Sequence, residues 1–143
     1  IFIRLGGCNL NCKGFGVQID GIIGCDSIKA VHKDRYSHEW RYIDDLKPII
    51  NSHLIDLEFK PDIVFTGGEP LTHHENPILL EALEHYISKG YKVTFETNAT
   101  IEIDFKKYPV YKDVVFAMSV KLENSGEDEK KRIKKESIKA ICE

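Results

Sequence analysis

The chain has 143 residues, of which 42% are hydrophobic and 30% are charged, and its formal net charge at pH 7 is −3. The length suggests one domain over residues 1–143, with enough apolar side chains for a buried core. The slightly acidic balance argues against a protein that binds nucleic acid through a basic face. No apolar run reaches the roughly 20 residues that a membrane-spanning helix needs.

Strands and helices are predicted to alternate along the chain. The strands are predicted over residues 1–5, 62–65, 91–96 and 114–120. The helices are predicted over residues 27–35, 41–58, 76–88 and 127–142. A glycine-rich loop over 8–26 separates the first strand from the first helix, and Gly90 follows the third helix, where a C-terminal cap belongs. This alternation indicates an α/β fold with a parallel sheet.

Polar motifs follow three of the predicted strands, at residues 67–70, 96–98 and 119–121. The carboxyl ends of parallel strands meet at one edge of a sheet, and binding sites form there because the loops are free to vary. We therefore expect one site that combines these motifs.

Three of the four cysteines lie close together in the glycine-rich loop. Cys8, Cys12 and Cys25 form the pattern C-x3-C-x12-C, whereas Cys142 lies far away and is expected to be a helix residue without a catalytic role. Iron–sulfur clusters normally have four cysteine ligands, so three would leave one iron open to a ligand. Two alternatives remain open: free buried thiols, or a zinc site completed by His32.

Two motifs resemble the signatures of the radical S-adenosylmethionine (SAM) superfamily. The segment 8–12 resembles the first half of its cluster motif, C-x3-C-x2-C, and the sequence Thr-Gly-Gly-Glu-Pro at 66–70 resembles its second signature. Twelve residues, rather than two, separate Cys12 from Cys25, but a longer loop can still return its thiolate to the cluster at a modest entropic cost.

Within that superfamily the chain most resembles the 7-carboxy-7-deazaguanine synthases, some of which also have a lengthened cluster loop. The resembling segments are 2–10, 25–27, 30–31, 66–70, 96–98 and 119–121. The synthases are longer at both ends. Because this chain opens on a strand at Ile1 and ends within a helical pattern at Glu143, we expect residues of the full protein to be missing at both ends.

The resemblance implies a partial (β/α) barrel, incomplete in this chain, with a 4Fe–4S cluster on Cys8, Cys12 and Cys25. It also implies that SAM is a cofactor. The residues expected to bind SAM are Gly67, Gly68, Glu69, Glu96, Asn98, Ser119 and Lys121. The glycines would allow the backbone to approach SAM closely. The alternatives are an ordinary strand-to-helix turn for the glycines, turn capping by Asn98 and a solvated Lys121.

The resemblance also implies a carboxylated substrate and Mg²⁺. Arg4, with Gly68, is expected to bind the substrate, because a guanidinium pairs with a carboxylate in a bidentate manner. Ser27 is expected to be a ligand of Mg²⁺. A structural ion pair for Arg4 and a helix N-cap for Ser27 are the alternatives. Phe15 and Gln18, in the insertion, are expected to line the substrate site. The adjacent His73 and His74 are expected at the surface or behind the site.

The function implied by the resemblance is that of a radical SAM lyase. It would convert 6-carboxy-5,6,7,8-tetrahydropterin to 7-carboxy-7-deazaguanine with loss of ammonia, in queuosine-type deazapurine synthesis for tRNA modification. The cluster and SAM would carry the chemistry, so no side chain is assigned a catalytic role. The expected partners are the pterin and an electron donor such as flavodoxin, and a homodimer is left open.

Two other functions remain open from the sequence. One is a radical SAM activating enzyme that acts on a partner protein, and the other is a non-enzymatic iron–sulfur or zinc module. No basic–apolar leader marks the chain for secretion, so we expect it in the cytoplasm, without direct contact with nucleic acid or membrane. The sequence gives no role for the 12-residue insertion between Cys12 and Cys25.

Overall fold

The computed structural model describes residues 1–143 and contains two sheets. The main sheet consists of β1 (Phe2–Leu5), β4 (Ile63–Gly67), β5 (Val93–Thr97) and β6 (Val115–Met118). These four strands are all parallel and lie side by side in that order. The second sheet is an antiparallel hairpin of β2 (Val17–Ile19) and β3 (Ile22–Gly24).

Five α-helices accompany the strands. They are α1 (Ile28–Val31), α2 (Leu46–Leu54), α3 (Pro77–Ser88), α4 (Glu129–Arg132) and α5 (Lys135–Cys142). Five 3₁₀ helices cover Lys33–Glu39, Ile43–Asp45, Pro70–His73, Pro109–Asp113 and Glu123–Ser125. None of the helices has the length and apolar character that crossing a bilayer requires.

The longest helix, α3, has clear start and stop signals in the sequence. The Asn76 side chain accepts hydrogen bonds from the backbone N–H groups of Ile78 (2.9 Å) and Leu79 (3.4 Å), and Pro77 occupies the first turn. At the other end Gly90 has a φ of 80°, a left-handed conformation that glycine adopts without strain. The helix predicted over 76–88 is therefore confirmed.

The core lies between the sheet and helices α2 and α3. Alternate residues of β4 and β5 are fully buried on this side, and the rings of Phe65 and Phe95 stack with centroids 5.0 Å apart. Leu83 of α3 and Ile50 of α2 belong to the same cluster of buried residues. Burying such side chains stabilises the fold by about 1.5–3 kcal/mol each. This packing holds the sheet in place against α2 and α3.

Side chains on the opposite face of the sheet point toward the expected site. In the parallel register Arg4 lies beside Thr66, and Glu96 lies beside Ala117. Side chains alternate along a strand, so these four residues face away from the buried side of the sheet. The predicted parallel sheet is confirmed, whereas the partial barrel stays a prediction.

Four predicted elements differ from the structure. The helix predicted over 41–58 is reduced to α2 (Leu46–Leu54), which follows the 3₁₀ helix Ile43–Asp45. The loop predicted over 8–26 contains the β2–β3 hairpin, and the helix predicted over 27–35 ends at Val31. The helix predicted over 127–142 is divided into α4 and α5. The break has a tertiary cause, because Arg132 donates to the carbonyl of Lys121 (3.0 Å) and Ser137 donates to the carbonyl of Ile101 (2.7 Å).

Candidate functional site

A cavity of about 920 Å³ lies at the carboxyl ends of the four parallel strands. The predicted site residues that line it are Arg4, Cys8, Cys12, Cys25, Ser27, Gly67, Gly68, Glu96, Asn98, Ser119 and Lys121. A second cavity, of about 1160 Å³, runs along β1 and shares Arg4, Asp26 and Ser27 with the first. The structure thus brings the predicted site residues together around one cavity, except Glu69 and Gln18.

The three clustered cysteines are all free and all line this cavity. Burial, offset in part by the hydrogen bond from the backbone N–H of Leu10 and assisted by the negative charges of Glu69, Cys12 and Cys25, raises the pKa of Cys8 to about 11. Burial also raises the pKa of Cys12, and the negative charge of Glu127 is the second cause of this rise. A positive metal centre would compensate this effect and favour the thiolate forms of Cys8 and Cys12.

The three thiols are the donor type that iron–sulfur clusters use, and such a cluster gives each thiolate its own iron. A single zinc ion instead needs its ligands around one point, and no group of three or more His, Cys, Asp and Glu side chains is arranged in that way. Cys8, Cys12 and Cys25 all line one cavity, and a 4Fe–4S cluster held by them stays a prediction.

The two glycines at the end of β4, Gly67 and Gly68, are required by close contacts with the protein's own backbone. A Cβ atom on Gly67 would lie 2.0 Å from the carbonyl oxygen of Leu5, and one on Gly68 would lie 2.3 Å from that of Gly7. The backbone N–H of Glu69 donates to the same Gly7 oxygen at 2.9 Å. The turn is therefore packed against the start of the cysteine loop, while both glycines still line the cavity.

Glu69 lies beneath the cavity rather than on its wall. Its side chain is fully buried and accepts three hydrogen bonds, from the backbone N–H groups of Leu71 (3.0 Å) and Asn98 (2.6 Å) and from the Thr97 hydroxyl (2.7 Å). Burial raises the pKa of Glu69, and these donors partly offset the effect. The carboxylate thus joins the turn after β4 to the end of β5, and its contact with SAM stays a prediction.

Glu96 and Asn98, at the end of β5, differ in their hydrogen bonding. Glu96 is exposed in the cavity, and its carboxylate has no hydrogen-bond partner in the protein. Asn98 is buried, and its amide nitrogen donates to Asn9 of the cysteine loop (3.1 Å). Its amide oxygen accepts from both the backbone N–H and the hydroxyl of Thr100. Glu96 is therefore the more available of the two for a ligand.

The loop after β6 supplies a cation to the cavity. The ammonium group of Lys121 donates to the Ser119 hydroxyl (3.2 Å) and lies 5.9 Å from the centre of the Phe15 ring. Phe15 lines the cavity as expected, whereas Gln18 is exposed on β2 and does not line it. The insertion thus contributes one aromatic wall beside a positive charge, a surface that suits a flat anionic ligand.

Arg4 and Ser27 are brought into contact. The Arg4 guanidinium donates to the Ser27 hydroxyl at 3.1 Å, and that hydroxyl donates to Asp26 at 3.3 Å. The Ser27 hydroxyl does not cap α1, although Ser27 is the N-cap residue. A Mg²⁺ ion on Ser27 would have to compete with the adjacent guanidinium, so this role stays a prediction.

The cysteine loop is docked on a segment that the sequence does not single out. The carboxylate of Glu127, which is only 8% exposed, accepts a hydrogen bond from the backbone N–H of Asn11 at 2.5 Å. The carbonyl of Ser125 accepts from the N–H groups of Lys13 and Gly14, both at 3.0 Å. The sequence does not reveal this contact, because its two partners lie 116 residues apart.

The remaining candidate residues lie outside the cavity. His73 forms a hydrogen bond with the carbonyl of Gly6 (2.7 Å), and His74 forms one with the carbonyl of Leu71 (2.8 Å). Both histidines thus stabilise the backbone behind the site. His32 and the exposed Cys142 do not line the cavity.

Comparison with known proteins gives one family model and several relatives. Residues 1–142 match the family model described as "4Fe-4S single cluster domain". A protein of Aquifex aeolicus is 35% identical over 105 residues, which are 73% of this chain and 38% of the relative. A protein of Halobacterium salinarum is 34% identical over 104 residues, or 73% and 33% of the two chains.

A protein of Koribacter versatilis is 30% identical over 127 residues, which are 89% of this chain and 46% of the relative. All three relatives are named 7-carboxy-7-deazaguanine synthase. The chain spans less than half the length of these curated relatives, and no solved structure matches it significantly. The resemblance indicated by the cysteine and Gly-Gly-Glu-Pro motifs is thereby confirmed.

Proposed function

This chain belongs to the 4Fe–4S single cluster domain family, and from this premise we propose that it is the radical SAM core of a 7-carboxy-7-deazaguanine synthase. In this proposal residues 1–143 form one domain, and Cys8, Cys12 and Cys25 hold a 4Fe–4S cluster with one open iron. The observation that carries the proposal is the single cavity that these thiols share with the Gly-Gly turn and the ends of β5 and β6.

SAM would occupy the part of this cavity next to the cysteines. When bound, the cluster and SAM supply one-electron radical chemistry, and the protein supplies position and shelter from water. The open Glu96 carboxylate would accept hydrogen bonds from SAM hydroxyl or ammonium groups, and Lys121 would pair with a carboxylate. The Gly67 and Gly68 backbone offers polar groups on the same wall. Ser119, Asn98 and Glu69 would complete the contacts or hold the wall in place.

The substrate would lie on the Arg4 side of the cavity. Arg4 and Lys121 line the same cavity and suit a carboxylated ring, and Phe15 offers a face for stacking. These features support 6-carboxy-5,6,7,8-tetrahydropterin as the substrate and 7-carboxy-7-deazaguanine as the product, with loss of ammonia, in queuosine-type synthesis. Mg²⁺ on Ser27 would bind the substrate carboxylate together with Arg4.

The proposal includes the molecular setting. The strands would continue into a partial (β/α) barrel. The protein would act in the cytoplasm and receive electrons from a donor such as flavodoxin, and a homodimer is left open.

The reaction is tested by anaerobic incubation of the reconstituted protein with reductant, SAM and the carboxypterin, followed by mass analysis. We expect both 5′-deoxyadenosine and 7-carboxy-7-deazaguanine. The first product without the second would reject the substrate but retain the superfamily, and the absence of both would contradict the proposal.

A matched pair of arginine variants tests the substrate side of the cavity. Arg4→Lys keeps the charge but loses the planar fork, so we expect kcat/KM for the carboxypterin to fall about tenfold, which corresponds to about 1.4 kcal/mol. Arg35→Lys is the control, because Arg35 is exposed and lines neither cavity. Equal values for Arg4→Lys and Arg35→Lys would contradict the role of Arg4.

A further inference from the structure

Three side chains from two distant parts of the chain form a closed ring of hydrogen bonds. The Asn9 amide nitrogen donates to the Thr100 hydroxyl at 2.7 Å. That hydroxyl donates to the Asn98 amide oxygen at 2.6 Å, and the Asn98 amide nitrogen donates to the Asn9 amide oxygen at 3.1 Å. Each side chain therefore donates once to the next, and we call these three residues the amide ring.

The amide ring permits only one orientation of its members. Turning one amide by 180° would place a donor against a donor or an acceptor against an acceptor, and turning both would place the Asn98 nitrogen against the backbone N–H of Thr100. The backbone N–H of Thr100 adds a further bond to Asn98 at 3.0 Å. Asn98 and Thr100 are 5% and 8% exposed, so their polar groups would be costly to leave unpaired.

The position of the ring connects the two halves of the site. Asn9 lies directly after Cys8 in the cysteine loop, and Asn98 lies two residues after Glu96 at the end of β5. Asn98 is in turn tied through its backbone N–H to Glu69, in the turn after β4. A displacement of Asn9 would thus change the position of Cys8 relative to the β5 wall.

We propose that Asn9, through its ring with Asn98 and Thr100, is a positioning residue that sets the cysteine loop at a fixed place against the β5 wall of the cofactor cavity. The inference rests on the proposed function for its consequence, which is that a cluster on Cys8, Cys12 and Cys25 and a ligand on β5 meet at the right separation. Asn9 itself does not line the cavity.

The chain offers matched variants for a test. Asn9→Ala removes both ring bonds of the loop, and Thr100→Val removes the hydroxyl at nearly constant volume. Thr100→Ser keeps the hydroxyl and should behave like the wild type. Asn11→Ala is the control in the same loop, because the Asn11 side chain has no hydrogen-bond partner and only its backbone N–H is engaged.

The first readout is the SAM affinity of the reduced, reconstituted protein, followed as the change in the electron paramagnetic resonance spectrum during a SAM titration. We expect the dissociation constant to rise about tenfold in Asn9→Ala and in Thr100→Val. The double variant should show little more than either single variant, because both break one ring. The proposal would be overturned if the dissociation constant of the double variant rose about a hundredfold. It would also be overturned if Asn9→Ala and Asn11→Ala had the same dissociation constant.

The second readout does not depend on the cluster. Cys12 is only 7% exposed, so its rate of alkylation by iodoacetamide in the cluster-free protein reports how often the loop leaves its place. We expect the rate to rise several-fold in Asn9→Ala and Thr100→Val and to stay unchanged in Asn11→Ala and Thr100→Ser. Unchanged rates in all four would overturn the ring as the anchor of the loop.

The two readouts separate failure of the inference from failure of the proposed function. A wild-type spectrum that does not respond to SAM would contradict the proposed function, while the alkylation rates would still decide whether the ring holds the loop. A normal wild-type response combined with a normal response in Asn9→Ala would overturn the inference alone.

Discussion

At the scale of single residues, two buried carboxylates support the site without lining its binding wall. Glu69 joins the turn after β4 to the end of β5. Glu127 accepts a hydrogen bond from the backbone of the cysteine loop and pairs with Lys131 at 3.3 Å. Their charges act on the nearby thiols as well, since each raises the pKa of one cysteine. A buried negative charge beside the thiols would also oppose the addition of an electron to a cluster that they hold.

We predict that Glu127→Gln raises the midpoint potential of the cluster. The charge of Glu127 opposes a negative charge on Cys12, and it would oppose the electron added to the cluster for the same reason. Glutamine keeps an oxygen for the N–H of Asn11, so the loop should stay docked. The measurement is a redox titration followed by electron paramagnetic resonance.

The control for this prediction is Glu123→Gln, which makes the same chemical change at an exposed carboxylate without a hydrogen-bond partner. Its midpoint potential should equal that of the wild type. A Glu127→Gln protein with an unchanged or lower potential would show that this charge does not act on the cluster.

Some site residues could be placed from the sequence, whereas the contacts that those residues make could not. Glu96 and Lys121 were predictable at the cavity because the ends of parallel strands converge. The donors to Glu69 from β5 lie 28 and 29 residues away, and the contact of Asn9 with Thr100 spans 91 residues. No local spacing encodes such pairs, so the engagement of Asn98 and the burial of Glu69 required the folded chain.

At the scale of elements, the cysteine loop depends on its close approach to the 3₁₀ helix Glu123–Ser125. A Cβ atom on Gly14 would lie 1.5 Å from the carbonyl oxygen of Asn124, a contact that only a backbone shift could relieve. Two hydrogen bonds, from Lys13 and Gly14 to Ser125, are made at this place. Glycine at position 14 is thus required by packing between two elements.

We predict that Gly14→Ala displaces the loop and lowers the iron content after reconstitution to less than half that of the wild type. The added methyl group must separate the loop from Ser125, which breaks both hydrogen bonds and moves Cys12 from its buried place. Gly6→Ala is the control, because its Cβ would meet only the flexible side chain of Lys33, at 3.1 Å. Equal iron contents in the two variants would contradict this explanation of the glycine.

Elements with local signals were predictable, and elements held by distant contacts were not. The strand β4 and the helix α3 have apolar periodicity and a cap in the sequence itself. The strands β2 and β3 have three residues each, too few for periodicity to show. Their turn is held by Tyr36, whose hydroxyl donates to Asp20 at 2.8 Å. Tyr36 lies in the 3₁₀ helix Lys33–Glu39, which replaces the end of the helix predicted over 27–35.

At the scale of the whole molecule, the platform beneath the site depends on an aromatic cluster that includes a buried tyrosine. Tyr111 is fully buried, packs edge-on against Phe95 with centroids 5.7 Å apart, and donates to the carbonyl of His74 at 3.0 Å. Burial raises its pKa above the usual 10.0, because the phenolate would lose its hydration. This side chain therefore links stability to alkaline pH.

We predict that Tyr111→Phe lowers the free energy of unfolding at pH 7 by about 0.5–1.5 kcal/mol, the usual contribution of one hydrogen bond. Because the folded pKa is raised, the tyrosine's contribution is complete below pH 10 and is lost as pH rises through the folded value. As the pH rises above the usual tyrosine value of 10.0, the wild type should consequently lose more stability than Tyr111→Phe. Urea unfolding followed by circular dichroism measures both effects.

Tyr42→Phe serves as the control for the alkaline series, since Tyr42 is 85% exposed. It should unfold like the wild type at each pH. Parallel stability curves for the wild type and Tyr111→Phe would contradict a role for the buried phenol.

The central claim about the whole molecule is that Cys8, Cys12 and Cys25 together hold one 4Fe–4S cluster. The most direct test is the iron and sulfide content of anaerobically reconstituted wild type, Cys25→Ala and Cys142→Ala, together with their spectra after addition of SAM. We predict about four irons per chain and a SAM response in the wild type and in Cys142→Ala, and loss of both in Cys25→Ala. A Cys25→Ala protein that keeps a complete, SAM-responsive cluster would contradict the claim.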